Sequence, residues 1–87
     1  MSKYMIMAVL IENRKAKASE VQDLFTKFGC NIKMRLGLHE TTNVCAEDGL
    51  VILQLSGDDE EIKRLETELN QLDGVKSNLI TLSSDEK

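Results

Sequence analysis

The pattern of apolar and polar residues predicts four β-strands in the chain. Residues 4–12, YMIMAVLIE, and residues 49–57, GLVILQLSG, are apolar on both alternating faces, so each predicts a central strand covered on both sides. Residues 31–40, NIKMRLGLHE, alternate strictly and predict a half-buried strand nearer a sheet edge. Residues 75–83, VKSNLITLS, predict the last strand. The apolar face of the alternating segment consists of Ile32, Met34, Leu36 and Leu38.

The segment between the first two strands has the period of a helix. Its apolar residues recur three and four positions apart, on one helix face, at Val21, Leu24, Phe25 and Phe28. Either Asn13 or Ser19 can cap the start of this helix, and Ser19 would make it shorter. Gly29 suits the left-handed position that ends a helix.

A second helix is predicted between the third and fourth strands. Asp58 and Glu61 have the spacing of a capping box, and acidic residues fill the first turn, where the helix dipole favours them. Gly74 ends the segment. The apolar stripe consists of Ile62, Leu65, Leu69 and Leu72. The acidic residues Glu60, Glu61, Glu66 and Glu68 are expected to form a solvated helix face.

The order of these elements, β-α-β-β-α-β, predicts an α+β fold of the ferredoxin-like type for residues 1–87 as a single domain. In this arrangement the right-handed crossover rule places the first and third strands at the centre of a four-stranded antiparallel sheet, with both helices on one face. These are also the two most apolar strands, so the periodicity and the topology agree.

The other face of such a sheet would be open to water, yet the first and third strands place aliphatic side chains on it. Each such side chain that stays exposed to water loses the roughly 1.5–3 kcal/mol of free energy that its burial would contribute. An apolar patch of this kind favours self-association, most simply a two-fold dimer that packs sheet against sheet. The alternative is that the hairpin loop or the tail folds back over this face.

Composition and charge exclude several classes of function. The formal net charge is −4 and the basic residues are spread among acidic ones, which argues against direct binding of nucleic acid. No segment has the length of a membrane span. Two cysteines, Cys30 and Cys45, are too few for a disulfide framework, which favours a reduced, cytoplasmic protein. Cys30 is expected to be a small packing residue.

From Met34 to Leu82 the sequence resembles a known family. The features shared are the Arg-x-Gly pattern of Arg35 and Gly37, the aliphatic third strand, the acidic helix start, and the helix exit from Leu72 to Lys76. They resemble the ACT-like iron-only hydrogenase system regulators. The resemblance implies a small cytoplasmic bacterial regulator that forms a dimer or a tetramer of dimers and responds to a small effector.

A more distant similarity is to the regulatory domain of nickel-responsive repressors, whose metal motif is His-x-His followed by a cysteine on the next strand. His39 and Cys45 have a matching separation. However, Gly37 occupies the position of the first histidine, and alignment of the third strands places Gly49 at the position of the cysteine. We therefore expect no metal site and no cofactor.

The candidate effector ligands are Lys33, Arg35 and His39, which share the polar face of the second strand. That face is expected to lie near the dimer interface. A guanidinium forks onto carboxylate or phosphate, so Arg35 could hold an anionic effector, or it could form a surface or inter-subunit ion pair. His39 could be a ligand or a solvated residue at the end of a strand.

No catalytic constellation can be assembled from the sequence, and we expect a protein that is not an enzyme. The first loop offers Asn13 and Arg14 but has no glycine that would let the backbone wrap a phosphate. Amino-acid-binding ACT domains usually place a glycine, often after a proline, in that same loop, and neither residue is present here, which argues against ordinary amino-acid sensing. Two interpretations remain: a regulatory domain that senses a small effector, and an interaction module that binds no small ligand.

Overall fold

The predicted order of elements is confirmed in a computed structural model, which describes residues 2–12, 14–38 and 49–84. The strands are β1 Ser2–Ile11, β2 Ile32–Leu38, β3 Gly49–Leu55 and β4 Val75–Ser84. The helices are α1 Arg14–Lys27 and α2 Asp59–Asn70, with a short 3₁₀ turn at Gly29–Asn31. The sheet is antiparallel with the order β2-β3-β1-β4, which is the ferredoxin-like arrangement.

The hydrophobic core lies between the sheet and the helices. Odd-numbered residues of β1 and β3 contribute one side of the core and the apolar stripes of both helices contribute the other. The deepest side chains, which have no solvent exposure, are Met7, Val9, Leu53, Ile62, Leu65 and Leu69. Both helices pack on the same side of the sheet, and no helix of the described residues lies on the opposite side, which we call the open face. The hairpin loop and the end of the tail, the alternative cover for this face, lie outside the described residues.

The helix boundaries depend on local capping. Helix α1 begins at Arg14, so the longer of the two predicted helices is correct, and Asn13 itself lies outside the described residues. Asp58 caps α2 by accepting a hydrogen bond from the Glu60 backbone N–H at 3.1 Å. The prediction for Gly29 is wrong, because α1 continues into a 3₁₀ turn there and the φ of Gly29 is not positive. The prediction that Gly74 ends α2 is also wrong, because the helix ends at Asn70 with Gln71 as its C-cap. Gly74 adopts the left-handed conformation, with a φ of 82°, in the turn just before β4.

The 3₁₀ turn is fastened to the connection between β3 and α2. The backbone N–H of Ser56 donates to the Asn31 carbonyl at 2.8 Å, and the Asn31 carboxamide donates to the Ser56 carbonyl at 3.2 Å. Gly57 lies beside this pair with a φ of 109°, and a Cβ added to it would be 2.8 Å from Asn31 Nδ2. Both its backbone conformation and its neighbour therefore require glycine at this position.

A β-bulge changes the predicted faces of β2. Ile32 pairs with Leu55 and Met34 pairs with Gln54, so one extra residue of β2 is accommodated between these pairs. The prediction that Ile32 shares a face with Met34 is therefore wrong. Ile32 packs against the core with Leu55, whereas Met34 and Leu36 lie on the open face. The prediction that β2 is an edge strand is confirmed.

Candidate functional site

The open face collects the exposed apolar side chains of the described residues. Large apolar side chains with at least 36% exposure number seven there, and each one lies on this side of the sheet. They come from all four strands and are Tyr4, Leu10, Met34, Leu36, Leu50, Ile80 and Leu82. The aliphatic face predicted from β1 and β3 is therefore present, and β2 and β4 extend it to both edges of the sheet.

The register arranges these side chains in rows across the sheet. Tyr4 pairs with Leu82 on β4, and Ile6 lies between Gln54 and Ile80. Ala8 lies in the next row, near the middle of β1. In the order β2-β3-β1-β4, this row consists of Leu36, Ile52, Ala8 and Asn78. The following row contains Leu50 of β3, Leu10 of β1 and Lys76 of β4.

The open face is almost without charge. Among the described residues of this face, Lys76 is the one that is charged, and it lies at a corner of the sheet. Its Nζ is 3.8 Å from Glu12 Oε1, so part of its charge is balanced locally. Such a surface suits an apolar partner and does not suit the phosphates of a nucleic acid.

Arg35 lies on the helix side of the sheet, so the prediction that it faces the dimer interface is wrong. Its guanidinium carbon is 4.9 Å from the centre of the Phe25 ring, and Nη2 donates to Gln22 Oε1 at 2.8 Å. Both partners belong to α1, so Arg35 fastens the edge strand β2 to that helix. The bulge explains the change of side, because it alters the alternation on which the prediction relied.

We expect Arg35→Ala to lower the free energy of unfolding by about 1 kcal/mol, because a cation–π contact and a hydrogen bond are lost. Thermal denaturation followed by circular dichroism should show a melting temperature about 4–8 °C below that of the parent. Lys33→Ala, at an exposed position two residues away, is the matched control and should change stability by no more than about 0.5 kcal/mol. Equal melting temperatures for Arg35→Ala and the parent would contradict this role.

The other candidate residues are distributed differently. Lys33 is exposed at the bulge of β2. His39 and Cys45 lie outside the described residues, so the structure does not test their predicted roles. Cys30 is exposed, and the expectation that it packs as a small apolar residue is wrong. Within the described ranges there is no cluster of three or more histidine, cysteine or acidic residues that could hold a metal ion.

Two acidic residues of α2 that were expected on a solvated helix face form contacts with other elements. Glu66 accepts a hydrogen bond from the Leu79 backbone N–H at 3.2 Å, and Glu68 pairs with Lys27 of α1 at 3.0 Å. Both are partly buried rather than part of a solvated face. The apolar period shows which side of a helix faces the core, but a carboxylate at the margin of that side contacts its partner only after the elements have packed.

An ion pair joins the beginnings of β1 and α2. Lys3 Nζ lies 2.7 Å and 2.9 Å from the two carboxylate oxygens of Asp59. The hydrogen bond from Lys3, and then its charge, hold the pKa of Asp59 below its ordinary value. Both side chains are exposed, so solvent screens the pair and it contributes little to stability. No helix in the described part of the chain has the length and apolar character to cross a membrane.

Comparison with known proteins gives structural neighbours only. No protein-family model and no curated protein sequence matches the chain. An uncharacterized protein from Thermotoga maritima is 24% identical, has a TM-score of 0.81, and aligns over 94% of this chain and 100% of its own. The ACT domain of a GTP pyrophosphokinase from Chlorobium tepidum is 16% identical, has a TM-score of 0.64, and aligns over 100% of this chain and 94% of its own. The protein therefore has an ACT-like fold.

Proposed function

We propose that the protein is a small ACT-like regulator, of the iron-only hydrogenase system type that its sequence resembles. In this proposal it acts in the cytoplasm as a homo-oligomer, a dimer or a tetramer of dimers, whose subunits pack through the open face. It binds a small effector near a subunit interface and acts by binding rather than by catalysis. The cytoplasmic location rests on the low cysteine count, and the absence of catalysis rests on the sequence alone.

The observation that carries the proposal is the size and composition of the open face. Four strands spaced by about 4.8 Å make it about 19 Å wide, and its apolar rows cover about 20 Å along β1. Two copies would cover about 800 Å² of sheet plane before the relief of the side chains is added, close to the roughly 1,000 Å² at which specific interfaces begin. A dimer of this size is small, so its population should rise with protein concentration.

A second copy of the chain suits this face better than a charged partner does. A two-fold axis places the same patch on both sides of the interface, so a patch that is apolar and nearly uncharged complements itself. Two chains of net charge −4 repel each other at long range, but the register places no acidic residue of the described strands within the apolar rows of the contact. Sheets that pack in this way lie about 10 Å apart, a distance that aliphatic side chains of this length can fill.

The effector in this proposal is a small anion held at the margin of β2. Arg35 uses one guanidinium nitrogen for Gln22, and its planar fork has further N–H donors that can bind a carboxylate or phosphate. Lys33 lies nearby on the same exposed strand. Since β2 is an edge strand and Arg35 lies on its helix side, a ligand there would be held at the rim of the sheet, beside the dimer contact but on the opposite side of the strand.

The second candidate function is an interaction module with no small ligand. It is favoured by the contacts that Arg35 already makes with Phe25 and Gln22, since a side chain that fastens two elements together has less freedom to bind an effector. In this alternative the open face still joins the subunits, but nothing occupies the margin of β2.

Native mass spectrometry of the protein as purified, followed by thermal denaturation with a panel of small carboxylates and phosphates, tests the proposal. We expect an oligomer, and for at least one anion a rise in melting temperature of about 10 °C or more at a hundredfold excess over its Kd. An oligomer that no anion stabilises would favour the interaction module. A monomer at all concentrations would contradict the assembly itself.

A further inference from the structure

Strand β4 is an edge strand with a composition that invites pairing with another chain. It forms one side of the sheet and is ten residues long. From Ser77 to Ser84 its sequence, SNLITLSS, contains no charge, proline or glycine. Uncharged segments of high β-propensity without proline are typical of strands that add to one another. Proteins usually protect such an edge with charges, proline, a bulge or a covering element.

Helix α2 supplies the cover for the first half of this edge. The Ser77 backbone N–H donates to Asn70 Oδ1 at 2.7 Å, and Asn70 Nδ2 is 3.4 Å from the Ser77 carbonyl oxygen. One carboxamide therefore binds the donor and the acceptor of the same residue, as a neighbouring strand would. Glu66 Oε2 accepts from the Leu79 backbone N–H at 3.2 Å.

The position of these contacts along β4 indicates which backbone groups they occupy. In an antiparallel ladder alternate residues direct their N–H and C=O groups to opposite sides of the strand. Ser77 and Leu79 bind side chains of α2, so their groups point away from β1, and Thr81 and Ser83 continue that series. The helix thus occupies the outward N–H and C=O of Ser77 and the outward N–H of Leu79, which a strand pairing with this half of the edge would need.

The opposite edge of the sheet is protected by other means. Strand β2 contains the bulge between Ile32 and Met34 and carries the positive charges of Lys33 and Arg35. Bulges and basic side chains both discourage strand addition. Strand β4 has neither charge nor an irregular register along residues 77–84, so its protection depends on α2.

We propose that Asn70 and Glu66 close the β4 edge against a second copy of this chain, so that copies do not join edge to edge into open-ended assemblies. The proposal does not depend on the function proposed above. Its occupant is specific: an antiparallel β4 from another copy, which would present the same uncharged segment and pair with groups that Asn70 and Glu66 now hold.

The double variant Asn70→Ala/Glu66→Ala tests the proposal in the full-length chain. Exchange of the Ser77 and Leu79 amides, followed by NMR in dilute solution, should accelerate by up to about tenfold when their partners are removed. Light scattering after size-exclusion chromatography should show that the molar mass of the double variant rises with protein concentration and exceeds that of the parent. Adding Thr81→Pro should abolish this growth, because proline removes an outward N–H without disturbing the ladder with β1.

The control is Glu61→Ala/Gln71→Ala, which also removes one carboxylate and one carboxamide, at exposed positions of α2 and its end. It should keep the parent's mass. The proposal is overturned if the two amides keep their protection in the double variant, if they lose it and the mass stays that of the parent, or if the control grows equally. If the double variant does not fold, Asn70→Ala alone, which leaves Glu66 in place, should show a smaller rise in molar mass. Faster exchange at Ser77 with an unchanged molar mass would overturn the proposal.

Discussion

Ile80→Lys is expected to weaken self-association by about a hundredfold in Kd, or roughly 3 kcal/mol. Ile80 is 51% exposed on the open face, opposite Ile6, so a lysine there remains hydrated in the separate subunit. In a sheet-to-sheet dimer the two-fold axis would bring two unpaired ammonium groups into an apolar interface, where each must lose water. Sedimentation velocity over a series of concentrations measures the shift from dimer to monomer.

Thr81→Lys is the matched control for this substitution. It adds the same charge one residue further along β4, on the opposite side of the sheet, at another exposed position. We expect it to associate as the parent does. If the parent is a monomer throughout the series, or if both lysine variants keep the parent's mass, the open face does not join the subunits.

Leu53→Ala is expected to lower the free energy of unfolding by about 3–5 kcal/mol, the usual range for a large cavity in a packed core. Leu53 has no solvent exposure, is paired with Met7 in the middle of the sheet, and faces both helices. Domains of this size have about 5–15 kcal/mol of stability in total, so the loss is a large fraction of it. Urea denaturation followed by circular dichroism measures it, because the midpoint should fall while the slope is unchanged.

Leu50→Ala provides the comparison on the same strand. Leu50 is 37% exposed and lies on the open face, so its truncation should cost the separate subunit only about 1 kcal/mol and act mainly on association. If Leu50→Ala and Leu53→Ala lowered the free energy of unfolding equally, the open face would be as tightly packed within one chain as the helix side. That result would contradict the division between core and open face.

The strand order followed from the sequence because the signal was strong and repeated. Strands β1 and β3 are apolar on both faces, and only central strands have that requirement, so their positions were determined before any contact was known. The helix stripe of Ile62, Leu65 and Leu69 was equally clear, and all three are fully buried. Period and topology supported one another in both cases.

The details of the candidate site did not follow, for two physical reasons. A bulge inserts one residue into β2 and reverses the side on which the residues after it lie, and the alternation NIKMRLG gives no sign of it. The contacts of Arg35, Asn70 and Glu66 join elements that are distant in the chain. Their partners depend on how the helices pack on the sheet, which no local pattern encodes.

The strand order also has a consequence for synthesis on the ribosome. Strand β1 is made before its neighbours β3 and β4, and its ladder runs from Ser2 paired with Ser84 to Ile11 paired with Val75. Pairing across so many residues is slow, because a long loop must close before any contact stabilises it. Because β1 comes first in the chain, this largely apolar ten-residue segment leaves the ribosome well before β3 and β4 have been made. Until Ser84 has emerged, chaperones that hold exposed apolar segments have a binding site at the very strand that later occupies the centre of the sheet.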